Sequence, residues 1–286
     1  MRMTTSLRRT LERGDIVIAP GVYDCLSAKI AEASGFEAVV LSGFGYMASS
    51  AGFPDIGLEA RNDILDAARR IAAAVLVPVL VDASEGYGGP AGLAQTVRGL
   101  EQAGAAGMLL GDQTTPAICP MLGPPDVIPQ NTFCAKIAFV KETLSDPDFV
   151  LVARTDAAAR YGVDDAVARA RAYLEAGADM ILPVAGIPRD RTGVQAVVQR
   201  IGGPVAITSA PELGLTTQDY RDMGVNMVSG LEAVFAAADS LSAVFAQLKA
   251  NGSVADPDRH SASPAAVARL NDMMGWDAWL RMDAAF

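Results

Sequence analysis

Short runs of Val, Ile and Leu recur along the chain between longer, Ala-rich stretches that have helical periodicity. Eight of these runs predict strands: IVIAP (16–20), AVVLSG (38–43), VPVLVDA (77–83), AGMLLGD (106–112), FVLVARTD (149–156), ADMILPV (178–184), PVAIT (204–208) and VNMVSG (225–230). Between and after them lie amphipathic segments such as RNDILDAARRIAAAV, GLAQTVRGLEQAG, VDDAVARARAYLEAG and VFAAADSLSAVFAQLKANG. Several of the helices end at a glycine (Gly35, Gly104, Gly177, Gly202 and Gly224), the residue that most easily adopts the left-handed conformation closing a helix. The strand runs are apolar with little alternation, as expected of parallel strands covered by helices on one side and filled on the other. Eight such units predict a closed (β/α)8 TIM barrel; an open doubly wound sheet usually needs fewer.

Two regions break the rhythm. Residues 113–130, QTTPAICPMLGPPDVIPQ, are longer than an ordinary βα connection and suggest a functional lid. Residues 251–286 follow the eighth unit. Their NGSVADPDRHSASP stretch predicts a linker and AAVARLNDMMGWDAWLRMDAAF one or two helices. The expected organisation is a barrel over 1–250 and a helical tail over 251–286 that packs on the barrel or on a neighbouring subunit. Trp276 and Trp279 in the tail suggest helix exchange in a homodimer or homotetramer.

The 286 residues are 51% apolar and 20% charged, enough for one sizeable core. A net charge of −10 argues against a nucleic-acid surface, which needs clustered Lys and Arg. It also means that an anionic ligand requires a local cation. Cys25, Cys119 and Cys134 form no CxxC pair, and their odd number fits a reducing compartment. No signal-peptide pattern opens the chain, and no run reads as a membrane span, so the expected location is the cytoplasm, with no membrane partner.

In a βα barrel the residues just after each strand face the site. After the second strand, Ser42-Gly43-Phe44-Gly45 reads either as a carboxylate-binding backbone or as a plain Gly-rich turn. Asp55, Asp82 and Glu85 are acids on βα loops; together they suit Mg²⁺ or Mn²⁺, while singly they would be caps or solvated residues. Arg154, after the fifth strand, suits a bidentate carboxylate, or else pairs with Asp156, Asp82 or Asp112. Cys119 reads as a general acid or base on the long loop, or as a buried spectator. The lone histidine, His260, lies in the linker and carries no assigned chemistry, which excludes a Ser-His-Asp triad.

As a set, PGVYDCLSAKIAEASGFEAVVLSGFG, GFPDIG, VDASEGYG, QAGAAGMLLGDQ, DFVLVARTDA, ARAYLEAGADMI and MMGWDAWLRMDAAF resemble the isocitrate lyase and phosphoenolpyruvate mutase superfamily, in its order and along nearly the whole chain. Methylisocitrate lyase and carboxyphosphonoenolpyruvate phosphonomutase are members. The resemblance implies an enzyme that cleaves or forms a C–C or P–C bond beside a 2-oxo or 2-hydroxy acid, through a Mg²⁺-held enolate. It implies that Ser42, Gly43 and Phe44 bind the substrate carboxylate, that Asp55 and Asp82 belong to the metal site, and that Arg154 grips the substrate. Cys119 falls where the lyase members carry a catalytic cysteine and the phosphonate-processing members do not, which favours a C–C lyase.

The chain also departs from the family pattern. Ser84 and Gly111 stand where two acids are usual, Ala117, Ile118, Pro120 and Met121 surround Cys119 in place of charged residues, and LPVAG lacks a glutamate. Thr208 replaces an asparagine at the substrate end of the seventh strand. The expected function is therefore a carbon–carbon lyase acting on a small 2-hydroxy or 2-oxo (di)carboxylate through an enolate, assisted by Mg²⁺ or Mn²⁺. The alternatives are a metal-independent enzyme of the same fold on a less charged substrate, a phosphonate mutase or hydrolase, and a non-catalytic carboxylate-binding barrel.

Overall fold

The structure is a computed structural model that describes residues 1–254 and 263–283; His260 and most of the expected linker lie outside the described residues. Helix α1 (Met3–Glu12) precedes strands β1 (Val17–Ile18) and β2 (Gly21–Val22). Then come α2 (Cys25–Ala33), β3 (Val39–Leu41), the short α3 (Gly43–Tyr46) with a π-helical turn over Met47–Ala51, α4 (Arg61–Ala74), β4 (Val79–Asp82) and α5 (Pro90–Ala103). The chain continues through β5 (Gly107–Gly111), α6 (Gln130–Thr143), β6 (Val150–Thr155), α7 (Ala158–Glu175), β7 (Met180–Pro183) and α8 (Arg191–Ile201). It ends with β8 (Ala206–Thr208), α9 (Thr217–Asp222), β9 (Met227–Ser229), α10 (Glu232–Asn251) and two tail helices, Pro264–Met273 and Trp276–Asp283.

All ladders are parallel, in the orders β2-β3-β4-β5-β6-β7 and β1-β9-β8. Two joints close them into one barrel. Ile181 bridges Val205 between β7 and β8. At the other joint, the N–H groups of Val17, Ala19 and Gly21 donate to Asn226, Val228 and Gly230, while the carbonyls of Pro20 and Val22 accept from Val40 and Ser42. β1 and β2 are thus one barrel strand shared by two neighbours. Pro20, which has no N–H to donate, stands at the interruption, and the expected strand over 16–20 continues to Val22.

Side-chain direction alternates along each strand even though nearly every position is apolar. Val39, Leu41, Val79, Val81, Met108, Leu110, Leu151, Ala153 and Ile181 point outward to a core shared with the helices. Val17, Ala19, Val40, Leu80, Leu109, Val150, Val152, Met180, Leu182, Ala206 and Met227 point inward and fill the barrel. Leu7 of α1, fully buried, joins this inner set. Helix α1 closes the amino end of the barrel, held by Thr4 on Asp146 (2.9 Å), Thr5 on Asp148 (2.5 Å) and Arg8 on Asp179 (3.1 Å). The other end is left open for a site.

Helix α10 differs from its counterparts, since none of its residues is buried. By length and composition alone it could cross a membrane (mean hydropathy 1.2), a property that interface helices share. Phe235, Leu241, Phe245 and Leu248 are exposed along it, and Trp276, Trp279 and Leu280 are exposed in the tail. The first tail helix lies beside α2.

Candidate active site

Two residues beyond the last inward core position of each strand, the same parity places a ring of side chains at the carboxyl end: Gly21, Ser42, Asp82, Gly111, Arg154, Val184, Thr208 and Ser229. All but Gly111 line one cavity of about 300 Å³. Phe44, Asp55 and Cys119 from the overlying loops line it as well. A smaller neighbouring cavity is lined by Gly43, Asp55, Glu59, Asp82, Ser84, Gly111, Gln113 and Arg154.

Arg154 is the fixed positive charge between the two cavities. Its Nε donates to Asp156 Oδ2 at 3.0 Å and its Nη1 lies 3.7 Å from Asp82 Oδ2. Burial alone would lower its pKa, but Asp156 and Asp82 outweigh that and raise it, so the guanidinium stays charged. Asp156 is itself fully buried and fixed from several directions. Its Oδ2 also accepts from Gln113 Nε2 at 2.8 Å, its Oδ1 accepts from the Ala185 N–H, and its own N–H donates to Asp112 Oδ1. Asp112 in turn accepts from Thr155 Oγ1 (2.7 Å) and the Tyr173 hydroxyl (2.9 Å). These hydrogen bonds, 2.7–3.2 Å long, lie within the barrel wall, so the arginine has little freedom.

The acidic side of the site holds more carboxylates than Arg154 can neutralise. Burial raises the pKa of Asp55 to about 6, with Asp82 adding to the shift and Arg154 opposing it. Asp82 is also raised by burial, against the pull of Arg154 and of the Ser84 N–H. Glu59 was not singled out in the sequence, yet burial raises it to about 7 although its bond from Tyr87 opposes the shift. The Tyr87 hydroxyl donates to Glu59 Oε1 at 2.5 Å, while Glu59 Oε2 is buried without a hydrogen-bond partner. A Cβ on Gly43 would lie 3.4 Å from that oxygen and 3.8 Å from Asp82 Oδ2, so only a residue without a side chain leaves this space free. Glu85 lies apart from both cavity walls: its carboxylate accepts from Thr115 Oγ1 and its carbonyl from Lys136.

Among the described residues no three His, Cys, Asp or Glu side chains close around an ion by themselves. That suits Mg²⁺, which commonly takes one or two carboxylates and fills the rest of its octahedron with substrate and water. The orphaned Glu59 oxygen and the neighbouring Asp82 carboxylate are hard-oxygen donors that fit such an ion, with Asp55 on the same cavity wall.

Ser42 is the N-cap of α3, its Oγ accepting from Gly45 N–H at 3.0 Å. The N–H groups of Gly43 and Phe44, in the first turn, have no intrahelical acceptor and are available to an anion. Thr208 ends β8 and faces the same cavity.

The long loop is ordered rather than loose. It is pinned at its ends by the Gln113–Val127 bridge and by Ile128 N–H donating to Asp112. Midway, the Gln113 side chain brackets one residue, donating to Ile118 O and accepting from Ile118 N–H. The next residue, Cys119, is 4% exposed, and its N–H donates to the Asp55 carbonyl at 2.9 Å. Burial raises its pKa, so the thiol keeps its proton at neutral pH. Gln113 therefore touches both the partner of Arg154 and the loop that carries Cys119. No sequence pattern marked that double contact, because it depends on two distant segments meeting.

The chain matches the phosphoenolpyruvate phosphomutase family over residues 7–249. It is 36% identical to the chloroplastic carboxyvinyl-carboxyphosphonate phosphorylmutase of Arabidopsis thaliana, covering 100% of this chain and 85% of that one. It is 34% identical to the 2-methylisocitrate lyase of Bacillus subtilis, covering 86% and 81%. Its fold also superposes on a phosphonopyruvate hydrolase solved with oxalate and Mg²⁺, with a TM-score of 0.89 at 28% identity over 100% of this chain and 99% of that one.

Proposed function

The chain belongs to the isocitrate lyase and phosphoenolpyruvate mutase superfamily, and from that premise we propose that it is a carbon–carbon lyase acting on a small 2-hydroxy or 2-oxo carboxylate through an enolate. The observation that carries this reading is the buried Arg154, locked by Asp156 and facing Asp82, in one cavity with a protonated Cys119.

In a retro-aldol direction the bond beyond C3 breaks. Its electron pair stays on the 2-oxo acid half as an enolate, and the hydroxyl oxygen of the departing half becomes a carbonyl. The hydroxyl proton passes to a carboxylate on the acidic side of the site. Arg154 and the N–H groups of Gly43 and Phe44 hold the substrate carboxylate, and Thr208 faces the substrate from β8. Cys119 Sγ delivers its proton to C3 of the enolate, turning it into the 2-oxo acid. Asp82, with Asp55 and Glu59 beside it, would hold a divalent ion; when bound, it supplies positive charge to the developing enolate oxygen. The phosphonate reading fits less well, since Cys119 lines the cavity at the position where the phosphonate-processing members of the superfamily carry no cysteine.

The metal assignment is checked by calorimetric titration of the protein with Mg²⁺ and Mn²⁺. Binding that weakens at least tenfold in Asp82→Ala and in Glu59→Gln is the expected result. Unchanged binding in both variants contradicts the assignment, and no binding to the parent protein favours the metal-independent alternative.

The exposed apolar residues of α10 and the tail further support a homo-oligomer in which these helices pack on a second copy of the chain. Three free cysteines support a reducing compartment such as the cytoplasm.

A further inference from the structure

The ring at the carboxyl end of the barrel is divided by charge. Ser42, Asp82 and Arg154, from β3, β4 and β6, form one arc with the acids around them. Val184, Thr208, Ser229 and Gly21, from the ends of β7, β8, β9 and the first barrel strand, form an uncharged arc opposite. Above this second arc the cavity continues into a wing lined by Ala185, Ile187, Pro188, Ala210, Leu215 and Tyr220. At about 300 Å³ the cavity is much larger than the three-carbon acid that Arg154 and Asp82 would hold, having room for about ten waters. The side chains lining the extra room are mostly apolar, with Thr208, Ser229, Tyr220 and Arg189 the polar ones.

A second substrate carboxylate would need a cation in this wing. Arg189 is the one candidate among the described lining residues, and it is engaged elsewhere. Its Nη2 lies 2.9 Å from Glu212 Oε1 and donates to the Ser209 carbonyl at 3.2 Å, with its side chain 56% exposed at the rim. On the far side of the mouth, Pro120 and Met121 of the Cys119 loop continue the apolar wall.

We infer that the substrate carries a single carboxylate, held at Arg154, and that its departing half is a hydrocarbon chain or ring seated in the wing formed by the β7 and β8 loops. This rests on the lyase reading above and narrows it to monocarboxylic 2-oxo or 2-hydroxy acids with an apolar tail. Burial of each additional methylene in such a wing strengthens binding, whereas an uncompensated carboxylate there loses its hydration without a partner.

The test is isothermal titration of the full chain, with Mg²⁺ in the buffer, against four probes: oxalate, pyruvate, 4-methyl-2-oxopentanoate and 2-oxoglutarate. Oxalate reports the charged end alone. The expected result is that oxalate binds and that 4-methyl-2-oxopentanoate binds about tenfold or more tightly than pyruvate, with 2-oxoglutarate no tighter than pyruvate. Ile187→Arg is expected to reverse that order. If oxalate binds but 2-oxoglutarate binds as tightly as the branched acid, or all three 2-oxo acids bind alike, the inference is overturned while the lyase reading stands. If oxalate does not bind, the carboxylate anchor is wrong and both fall.

Discussion

Arg154 illustrates how much of this site depends on side chains that never touch a ligand. Its orientation is fixed by Asp156, and Asp156 by Gln113, Ala185 and Asp112, so the charge is placed before any substrate arrives. Replacing it with methionine should lower kcat/KM by about 10²–10³-fold, measured by steady-state assay of any turned-over 2-oxo acid. Gln113 is a positioning residue. Gln113→Leu leaves two adjoining peptide groups of the loop and one carboxylate oxygen with fewer partners, so thermolysin should cut residues 113–130 several-fold faster, with an unchanged digestion pattern counting against the role. Cys119 is buried and keeps its proton, whereas Cys25 and Cys134 are partly exposed. Iodoacetamide at neutral pH should therefore label Cys119 more slowly than either, as read by peptide mass spectrometry. At this scale the sequence was informative where a residue follows a strand: Ser42, Asp82, Arg154 and Thr208 all occupy the ring. Glu59 was not legible, because it sits in a loop and gains its importance only from burial beside Gly43 and Tyr87. The opposite happened to Glu85, whose place as an acid on the same βα loop as Asp82 suggested the site, but whose carboxylate turns to Thr115.

Among the elements, the eight expected strands are present because each apolar run is long enough to span the barrel wall, and all but the one ending at Val184 lead into a polar or small residue at the ring. The first was misjudged only in extent, since Pro20 reads as an end in sequence while its carbonyl still accepts a ladder bond. Helix α1 was not expected. Its apolar content is low, and it is recognisable as a plug only once Leu7 meets the inward residues of the strands. Leu7→Ala should cost about 2–5 kcal/mol of stability, measured by urea denaturation, since it opens a void in a fully buried layer. A loss under 1 kcal/mol would mean that α1 is an ornament rather than a plug. The expected lid over 113–130 is an ordered, bridged segment in this structure, and Gln113 accounts for much of that order.

For the molecule as a whole, function is divided between the two ends of the barrel and the flank. The amino end is sealed by α1, the carboxyl end carries the charged arc and the apolar wing, and the flank displays α10 with Phe235, Leu241, Phe245 and Leu248 exposed. Light scattering coupled to gel filtration should give the mass of a dimer or tetramer, and Leu241→Glu with Phe245→Glu should shift it towards the 29.7 kDa monomer. A barrel that forms and protonates the enolate of a 2-oxo acid also exchanges the C3 protons of such an acid with solvent. Incubation of the protein with pyruvate and Mg²⁺ in D₂O, followed by proton NMR, reads that step without needing the natural substrate. The enolate mechanism predicts loss of the methyl signal as deuterium enters C3, faster at higher pH because removing a C3 proton needs the Cys119 thiolate, with exchange falling about 10²–10⁴-fold in Cys119→Ala. No exchange above the protein-free rate would contradict it.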